Sequence, residues 1–433
     1  MRSIKNYTVS LTEDLKEKIL CWSQQFEEVV WLDSNKESNL QNNSKYKAIL
    51  AVDAFTAVKT DFYQAFEQLE EYQSLTNDWL FGYLTYDLKN DVERLKSNNF
   101  DGLHFPDLYF FQPKKVFLFK EKEVEIQYLN FVEDELELDW EEIRSFNLDS
   151  TSLVKKPVAK IHLRTSKDSY FNKINKVLEH IHRGDIYEAN FCQEFYSEQT
   201  EIDTVKTFIH LNEISKPPFA TFLKLGDLYS LSASPERYIS KTGSTIISQP
   251  IKGTAKRDLN QVEDEKLKFE LENDPKERSE NIMITDLVRN DLSRFAKKGT
   301  VKVEELCKVY SFEQVHQMIS TITCEVELNC SPVSIIKETF PMGSMTGAPK
   351  ISAMKIIEDL EDAKRGLYSG AVGYFTPYGD FDFNVIIRSI LYNSSNKYVS
   401  FSVGGAITAK SIPEKEYEEC LIKAKAMREA LEN

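Results

Sequence analysis

The chain has 433 residues, 41% hydrophobic and 28% charged, with a formal net charge of −15. That length supports a large core and two or three domains. The acidic balance argues against nucleic acid, whose binding rests on Lys and Arg neutralising phosphates, yet it leaves room for a small anionic substrate, because local cations outweigh a negative total.

Six cysteines lie scattered with no CxxC pair, which reads as reduced thiols in a cytoplasmic protein. No apolar segment follows Met1-Arg2-Ser3-Ile4-Lys5-Asn6, and no run of about 18 apolar residues marks a membrane span. Residues 1 to about 150 mix short β-like runs with polar helical stretches. Val29-Val30-Trp31-Leu32 reads as a strand ending in the turn Asp33-Ser34-Asn35, and 78–86 as a buried strand. Runs 116–119 and 124–128 read as a hairpin around Lys120-Glu121-Lys122-Glu123. The acidic, turn-rich stretch 133–156 is the expected boundary between a region 1–150 and a region 151–433, or else a surface loop inside one domain.

The second region opens with a helix over 167–183. Ser166 is its N-cap, Tyr170, Ile174, Val177, Leu178 and Ile181 are its apolar face, and Gly184 ends it. Strands follow at 187–195, 220–225, 228–232 and 245–247. A helix over 280–298 turns Ile284, Leu287, Val288, Leu292 and Phe295 inward and closes at Lys297-Lys298-Gly299. Irregular alternation and hairpin-linked strands predict an α+β fold, with mostly antiparallel sheets packed in a sandwich and flanked by helices.

Several segments carry candidate chemistry. In Gln249-Pro250-Ile251-Lys252-Gly253-Thr254, proline fixes φ on the way into Lys252 and glycine allows close approach on the way out. A lysine nucleophile needs its amine unprotonated, against a reference pKa of about 10.4; the alternative is a turn lysine paired with an acid. Glu236, in Ser234-Pro235-Glu236-Arg237, reads as an acid/base group or as its neighbour's ion-pair partner. Glu280 starts the 280–298 helix, with Glu277 three residues before it. Ser411-Ile412-Pro413-Glu414 starts a last helix that carries Glu416, Glu419 and Lys423 on one face. Carboxylates from two helices, with no Cys or His partner, favour Mg²⁺ over Zn²⁺ if they converge; a solvated acidic face with a Glu419–Lys423 pair is the alternative.

Gly343-Ser344-Met345-Thr346-Gly347-Ala348-Pro349-Lys350 fails the phosphate-loop pattern, so no nucleotide is expected. Its hydroxyls, and the amides of Gly404-Gly405-Ala406, present donors to a carboxylate or else form tight turns. Arg388 lies in the apolar run Asn384-Val385-Ile386-Ile387-Arg388-Ser389-Ile390, read as a strand. It requires a structural aspartate or a substrate carboxylate. His316 receives no firm role.

In this order, together with Tyr368-Ser369-Gly370-Ala371-Val372-Gly373-Tyr374, these segments resemble the chorismate-utilising enzyme family over about 160–430, and more weakly before. Val30-Trp31-Leu32-Asp33-Ser34 resembles the strand where that family's tryptophan pocket begins. Within the family the alanine form of Pro-Ile-x-Gly-Thr is typical of the anthranilate-forming branch. The lysine form, here Lys252, is typical of the aminodeoxychorismate-forming branch that serves para-aminobenzoate and folate synthesis. The resemblance implies chorismate as substrate, on Mg²⁺ held by Glu280 and Glu419, with Glu277 and Glu416 supporting through water. Arg388 and Tyr368 would hold the enolpyruvyl carboxylate, and Lys423, the Gly404, Gly405 and Ala406 amides, Thr254 and Thr346 would complete the substrate pocket. Lys252 would attack C2 as the C4 hydroxyl leaves, with Glu236 as acid/base. Ammonia from a separate glutamine amidotransferase subunit would then attack C4. Departures are Ala406 for a glycine, His316 out of register, and Glu188 where the family commonly has Gln. Isochorismate- and salicylate-forming members place a water-activating lysine at that last position, so Glu188 counts against them.

Overall fold

The structure, a computed structural model, describes residues 1–35, 45–148 and 158–432. Strands β1 (Arg2–Thr8), β2 (Glu28–Asp33), β3 (Ala48–Thr60), β4 (Leu80–Leu84), β5 (Leu108–Phe119) and β6 (Glu123–Leu129) come first. Helices α1 (Glu13–Ser23), α2 (Ala65–Thr76), α3 (Lys89–Val92) and α4 (Leu136–Ser145) interrupt or follow them. After 158 come β7 (His162–Leu163), α5 (Lys167–Arg183), β8 (Glu188–Ser197), α6 (Thr204–Ser215), β9 (Phe219–Leu225) and β10 (Leu228–Ser234). Next are β11 (Arg237–Thr242), β12 (Thr245–Gln249), β13 (Ile251–Lys256), α7 (Gln261–Asn273), α8 (Pro275–Ser293), β14 (Lys302–Ser311) and β15 (Val315–Glu325). The remainder is α9 (Pro332–Thr339), β16 (Gly347–Ala348), α10 (Lys350–Leu360), β17 (Ala371–Phe375), β18 (Phe381–Val385), β19 (Ser389–Asn393), β20 (Tyr398–Thr408) and α11 (Pro413–Glu432).

The named strands pair antiparallel in two runs. One is β3–β2–β9–β10–β19–β20–β8. The other is β5–β4–β17–β18–β11–β12–β15–β14. The β3–β5 pairing joins them. Strands from before 150 are thus hydrogen-bonded to strands from after 158, at β2–β9 and β4–β17. One core lies between the sheets, with Val30, Phe81, Phe110, Leu223, Ile239 and Phe383 buried in it. A second packs the outer face of the first run under α1, α4, α5, α6 and α11, around Trp31, Tyr170, Phe222 and Phe401. This is the expected α+β sandwich with flanking helices. No described helix is long and apolar enough to cross a membrane.

Some local expectations shift. Helix α5 runs as read, with Ser166 Oγ accepting from the Ser169 amide and Gly184 closing it at φ 90°. The 78–86 strand shortens to β4, because Tyr86–Leu88 coils into a 3₁₀ turn. The stretch read as turn-rich from 133 contains α4, and its end, 149–156, lies outside the described residues. Helix α8 starts at Pro275 rather than 280. Asp274 caps it, accepting from the Lys276 and Glu277 amides, and Pro275 takes the first position, where its missing N–H costs nothing. The helix ends at Ser293, so Lys297-Lys298-Gly299 lies beyond it. Arg388 is not inside a strand: β18 stops at Val385, β19 starts at Ser389, and Arg388 sits between them at φ 51°.

Candidate active site

One end of the sandwich gathers the start of β8, the β10–β11 turn, β13, the β18–β19 link, the second half of β20, and helices α8 and α11. Lys252 is set there by an irregularity in the sheet. The β13–β15 register slips between Ile251 and Thr254, and Gly253 takes φ +94°; a bulge of this kind re-aims a side chain. Asn281 on α8 donates to the carbonyls of Lys252 at 3.5 Å and Met318 at 3.2 Å, and Ser320 donates to Asn281. These bonds dock α8 so that Glu280, the preceding residue, faces the lysine.

The Lys252 side chain is 12% exposed, and its Nζ donates to Glu188 Oε1 at 3.0 Å. Burial alone would lower its pKa, but the negative charge of Glu188, Glu280 and Glu236 raises it instead. Glu236 is buried, and burial pushes its carboxyl up to about 7 against the pull of Ser344, Lys252 and the Ile251 amide. The turn that carries it is pinned from the next residue. Arg237 forks onto Asp382 at 3.0 and 3.1 Å and donates to Gln249 at 2.9 Å. A small pocket, lined in part by Pro250, Asp291, Gly343 and Ser344, opens beside Glu236.

The four helix carboxylates converge. Glu277 and Glu280 lie three apart on α8, and Glu416 and Glu419 three apart on α11. Burial pushes Glu280 up to about 7, and raises Glu277 and Glu416 too. Glu419 is lowered, since Lys423, Lys276 and Lys252 outweigh its burial. The Lys276 ammonium stands between the helices, 3.8 Å from Glu280 Oε1 and 3.8 Å from Glu416 Oε1. Glu280 Oε1 is buried without a hydrogen-bond partner among the described residues. An all-oxygen donor set with an orphaned carboxylate oxygen fits a hard divalent cation, although no three acidic, His or Cys side chains among the described residues already stand as a finished metal cage.

The glycine segment closes the other side. A Cβ on Gly405 would stand 3.4 Å from Glu416 Oε2 and 3.9 Å from Glu419 Oε1. Lys423 bonds Glu419 at 2.7 Å and the Gly404 carbonyl at 3.0 Å. Ala406 lies opposite Asn190, and past Ser400 the described pairing of β20 is with β8 alone. Arg388 is partly exposed as a residue, but its guanidinium is desolvated, which lowers its pKa. Its carbonyl accepts from the Ala233 amide at 3.1 Å, but among the described residues the guanidinium has no ion-pair or hydrogen-bond partner, so a cation stands there ready for an anion. Tyr368 is buried, with its hydroxyl accepting from the Cys192 thiol at 3.7 Å. The Thr346 hydroxyl donates to its own loop at Gly343, and Thr254 is exposed on β13 opposite Gln317; neither reaches the carboxylates as the structure stands.

Sequence reasoning missed three groups. Glu188 had no role and proves to be the Lys252 partner. Lys276 was passed over because it precedes the expected helix start; the Asp274-Pro275 signal would have placed it on α8. Arg365 is buried, paired with Glu361 at 2.6 Å and donating to Met345 and Asn190 carbonyls at 2.7 Å each, so it ties the 343–346 loop to β8. In sequence it sits in a charged loop that reads as solvated. His316 is structural: it is buried, bonds Asp264 at 3.0 Å and Ser311 at 2.9 Å, and fastens α7 to β14 and β15.

The chain is 33% identical over 369 residues to an anthranilate synthase component I-like protein of Synechocystis sp., covering 84% of this chain and 75% of that one. It is 39% identical over 267 residues to aminodeoxychorismate synthase component 1 of Escherichia coli K12, covering 62% and 58%. Among solved structures, anthranilate synthase component I from Streptococcus pneumoniae TIGR4 superposes with a TM-score of 0.78 at 25% identity, covering 88% of this chain and 91% of that one. The chorismate binding enzyme family matches residues 17–429, which is nearly the whole chain, so the chain belongs to that family.

Proposed function

We propose that the chain converts chorismate and ammonia to 4-amino-4-deoxychorismate. The observation that carries this reading is Lys252, a buried amine facing Glu236 and the carboxylate cluster at the position where the anthranilate-forming branch has alanine. The name of the Escherichia coli relative agrees with it. Arg388, unpaired and desolvated, binds one substrate carboxylate, and Lys423 with the Gly404–Ala406 segment neutralises the other. Lys252 attacks C2 as the C4 hydroxyl departs, and Glu236, with its carboxyl held near 7, gives that hydroxyl its proton. Ammonia then attacks C4, Glu236 takes a proton back, and the lysine is expelled. Covalent capture splits one hard substitution into two easier ones.

Mg²⁺ would be held by Glu280 and Glu419, with Glu277 and Glu416 behind them, and when bound it supplies positive charge for the ring carboxylate. A separate glutamine amidotransferase supplies the ammonia. The second reading is anthranilate formation, which the names of the Synechocystis and Streptococcus relatives favour and which shares every site residue but Lys252. Product identification from chorismate, Mg²⁺ and an ammonium salt decides between them. Aminodeoxychorismate as the main product supports the first reading, and anthranilate as the main product overturns it.

A further inference from the structure

A lysine attacks only as the neutral amine, yet Lys252 rests here as an ammonium. Three carboxyls from three elements face it: Glu188 at the start of β8, Glu236 in the β10–β11 turn, and Glu280 on α8. Some group must take the proton. Glu236 is committed to the departing hydroxyl and Glu280 to the cation cluster.

Among the described residues, Glu188 alone accepts a hydrogen bond from Nζ, at 3.0 Å to Oε1. It is fully buried, and its second oxygen, Oε2, has no hydrogen-bond partner among the described residues. The Lys252 ammonium is thus the one hydrogen-bond donor to this carboxylate among the described residues. The backbone holds the side chain in place. β8 is flanked by β20 and β16, the Tyr187 amide donates to the Ala348 carbonyl at 2.7 Å, and a Cβ on Gly347 would stand 2.2 Å from the Glu188 carbonyl oxygen.

We propose that Glu188 is a catalytic residue that takes the proton from Lys252 through this hydrogen bond and returns it at the end of the cycle. The inference rests on the aminodeoxychorismate reading above. Proton transfer leaves a neutral amine and a neutral Glu188 acid. The amine lone pair forms the N–C2 bond, the ring double bonds shift, and the C4–O bond breaks. The hydroxyl leaves as water with the Glu236 proton, and the lysine nitrogen is a secondary ammonium. Ammonia bonds to C4 and gives one proton to Glu236, the double bonds shift back, and the C2–N bond breaks to release the neutral amine. Glu188 then reprotonates Lys252. The sum is chorismate plus ammonia to aminodeoxychorismate plus water, with both glutamates restored.

The test is the rate of Lys252 adduct formation, read by intact mass after mixing protein with chorismate and Mg²⁺ without ammonia, from about pH 6 to about pH 10. Wild type forms the adduct and Lys252→Ala does not. Glu188→Gln keeps the shape but cannot take a proton, so adduct formation slows about 10²–10⁴-fold at neutral pH and recovers as pH rises and solvent strips the amine. Glu188→Asp regains part of the neutral-pH rate. If Glu188 only anchors a charge, Glu188→Gln frees the amine more easily, and an unchanged or faster neutral-pH rate overturns the proposal. A slowing that is equal at every pH also overturns it. Should Glu188→Gln fail to fold, Glu188→Ala with an unchanged neutral-pH adduct rate overturns it as well. The underlying reading fails separately if wild type forms product with no adduct and Lys252→Ala retains the rate.

Discussion

Gly404 lies so close to Cys192 that a Cβ on it would stand 2.4 Å from the Cys192 Sγ and 2.7 Å from the Phe191 carbonyl oxygen. The absent side chain lets β20 press onto β8 and brings the Gly404 carbonyl within 3.0 Å of Lys423. Gly404→Ala should therefore cost about 1–3 kcal/mol, the range for overpacking a well-filled site. It should also lower turnover, since the strand that carries Gly405 must move. Adding Cys192→Ala should restore only part of the stability, because the backbone oxygen still obstructs. Thermal melts of the two single variants and the double variant measure this coupling. Strict additivity would show that the contact does not hold the strand.

Glu236 gives a pH signature. Its folded pKa, pushed up to about 7 by burial, is above the ordinary carboxylate value, so the folded state binds the proton more tightly than the unfolded state. That stabilising contribution is complete below the ordinary value and is lost as pH rises through about 7. Glu236→Gln, permanently neutral, should match wild type near pH 4 and exceed its stability above pH 7 by on the order of 3 kcal/mol. Turnover of the variant should collapse at every pH. Melting temperature against pH for both proteins is the measurement, and a constant gap across the range would refute the assignment.

Arg388 should separate binding from folding. A desolvated guanidinium without a partner costs free energy, so removing its charge does not destabilise. Arg388→Gln should melt at or above the wild-type temperature while its KM for chorismate rises about 100-fold, the loss of a charge-assisted bond pair. A lowered melting temperature with unchanged KM would make Arg388 structural.

Lys276 already plays the part of a cation between Glu280 and Glu416, so a divalent ion must compete with it. Lys276→Met should tighten Mg²⁺ binding about tenfold and lower the melting temperature of the metal-free protein at alkaline pH, where the carboxylates repel most. Glu280→Gln and Glu419→Gln should each abolish the Mg²⁺-induced rise in melting temperature. Calorimetric titration showing equal affinity in wild type and Lys276→Met would remove Lys276 from the cluster.

These residues also show how far the sequence could be read. Helix α5 was legible because its cap, its apolar stripe and its terminal glycine are all local. The face of α11 that carries Glu416, Glu419 and Lys423 follows from helical spacing alone. The start of α8 was missed because its first turn is polar, so the apolar periodicity appears only later, although Asp274-Pro275 encodes the cap. The break at Arg388 left no mark in an unbroken apolar run, because it arises where the chain leaves β18 and enters β19 to pair with β10. The Glu188–Lys252 bond joins residues far apart in the chain, brought together by the sheet end and the β13 bulge, and no local pattern announces such a pairing. Arg365 failed for the same reason: its partners include the carbonyls of two remote segments.

The thiols bear on the proposed nitrogen source. A glutaminase needs a cysteine held as thiolate, usually by a helix N-terminus or a neighbouring cation. All six cysteines are free, and each is shifted the wrong way. Burial pushes Cys21 up to about 11, and Cys192 and Cys324 up to about 12. It raises Cys307, Cys330 and Cys420 as well. None lies between the flanking glycines of a Gly-x-Cys-x-Gly elbow. Ammonia at neutral pH is mostly ammonium, so the proposed amination calls for a delivered free amine. The purified chain should therefore aminate chorismate with ammonium salts, faster as pH rises toward the ammonium pKa, and should show no activity with glutamine. Adding a separate glutamine amidotransferase should confer glutamine-dependent turnover at neutral pH. Alkylating the half-buried thiols of Cys21 and Cys330 with iodoacetamide should leave the ammonium-dependent rate unchanged. Glutamine-dependent product from the highly purified chain, with no second polypeptide present, would overturn this assignment.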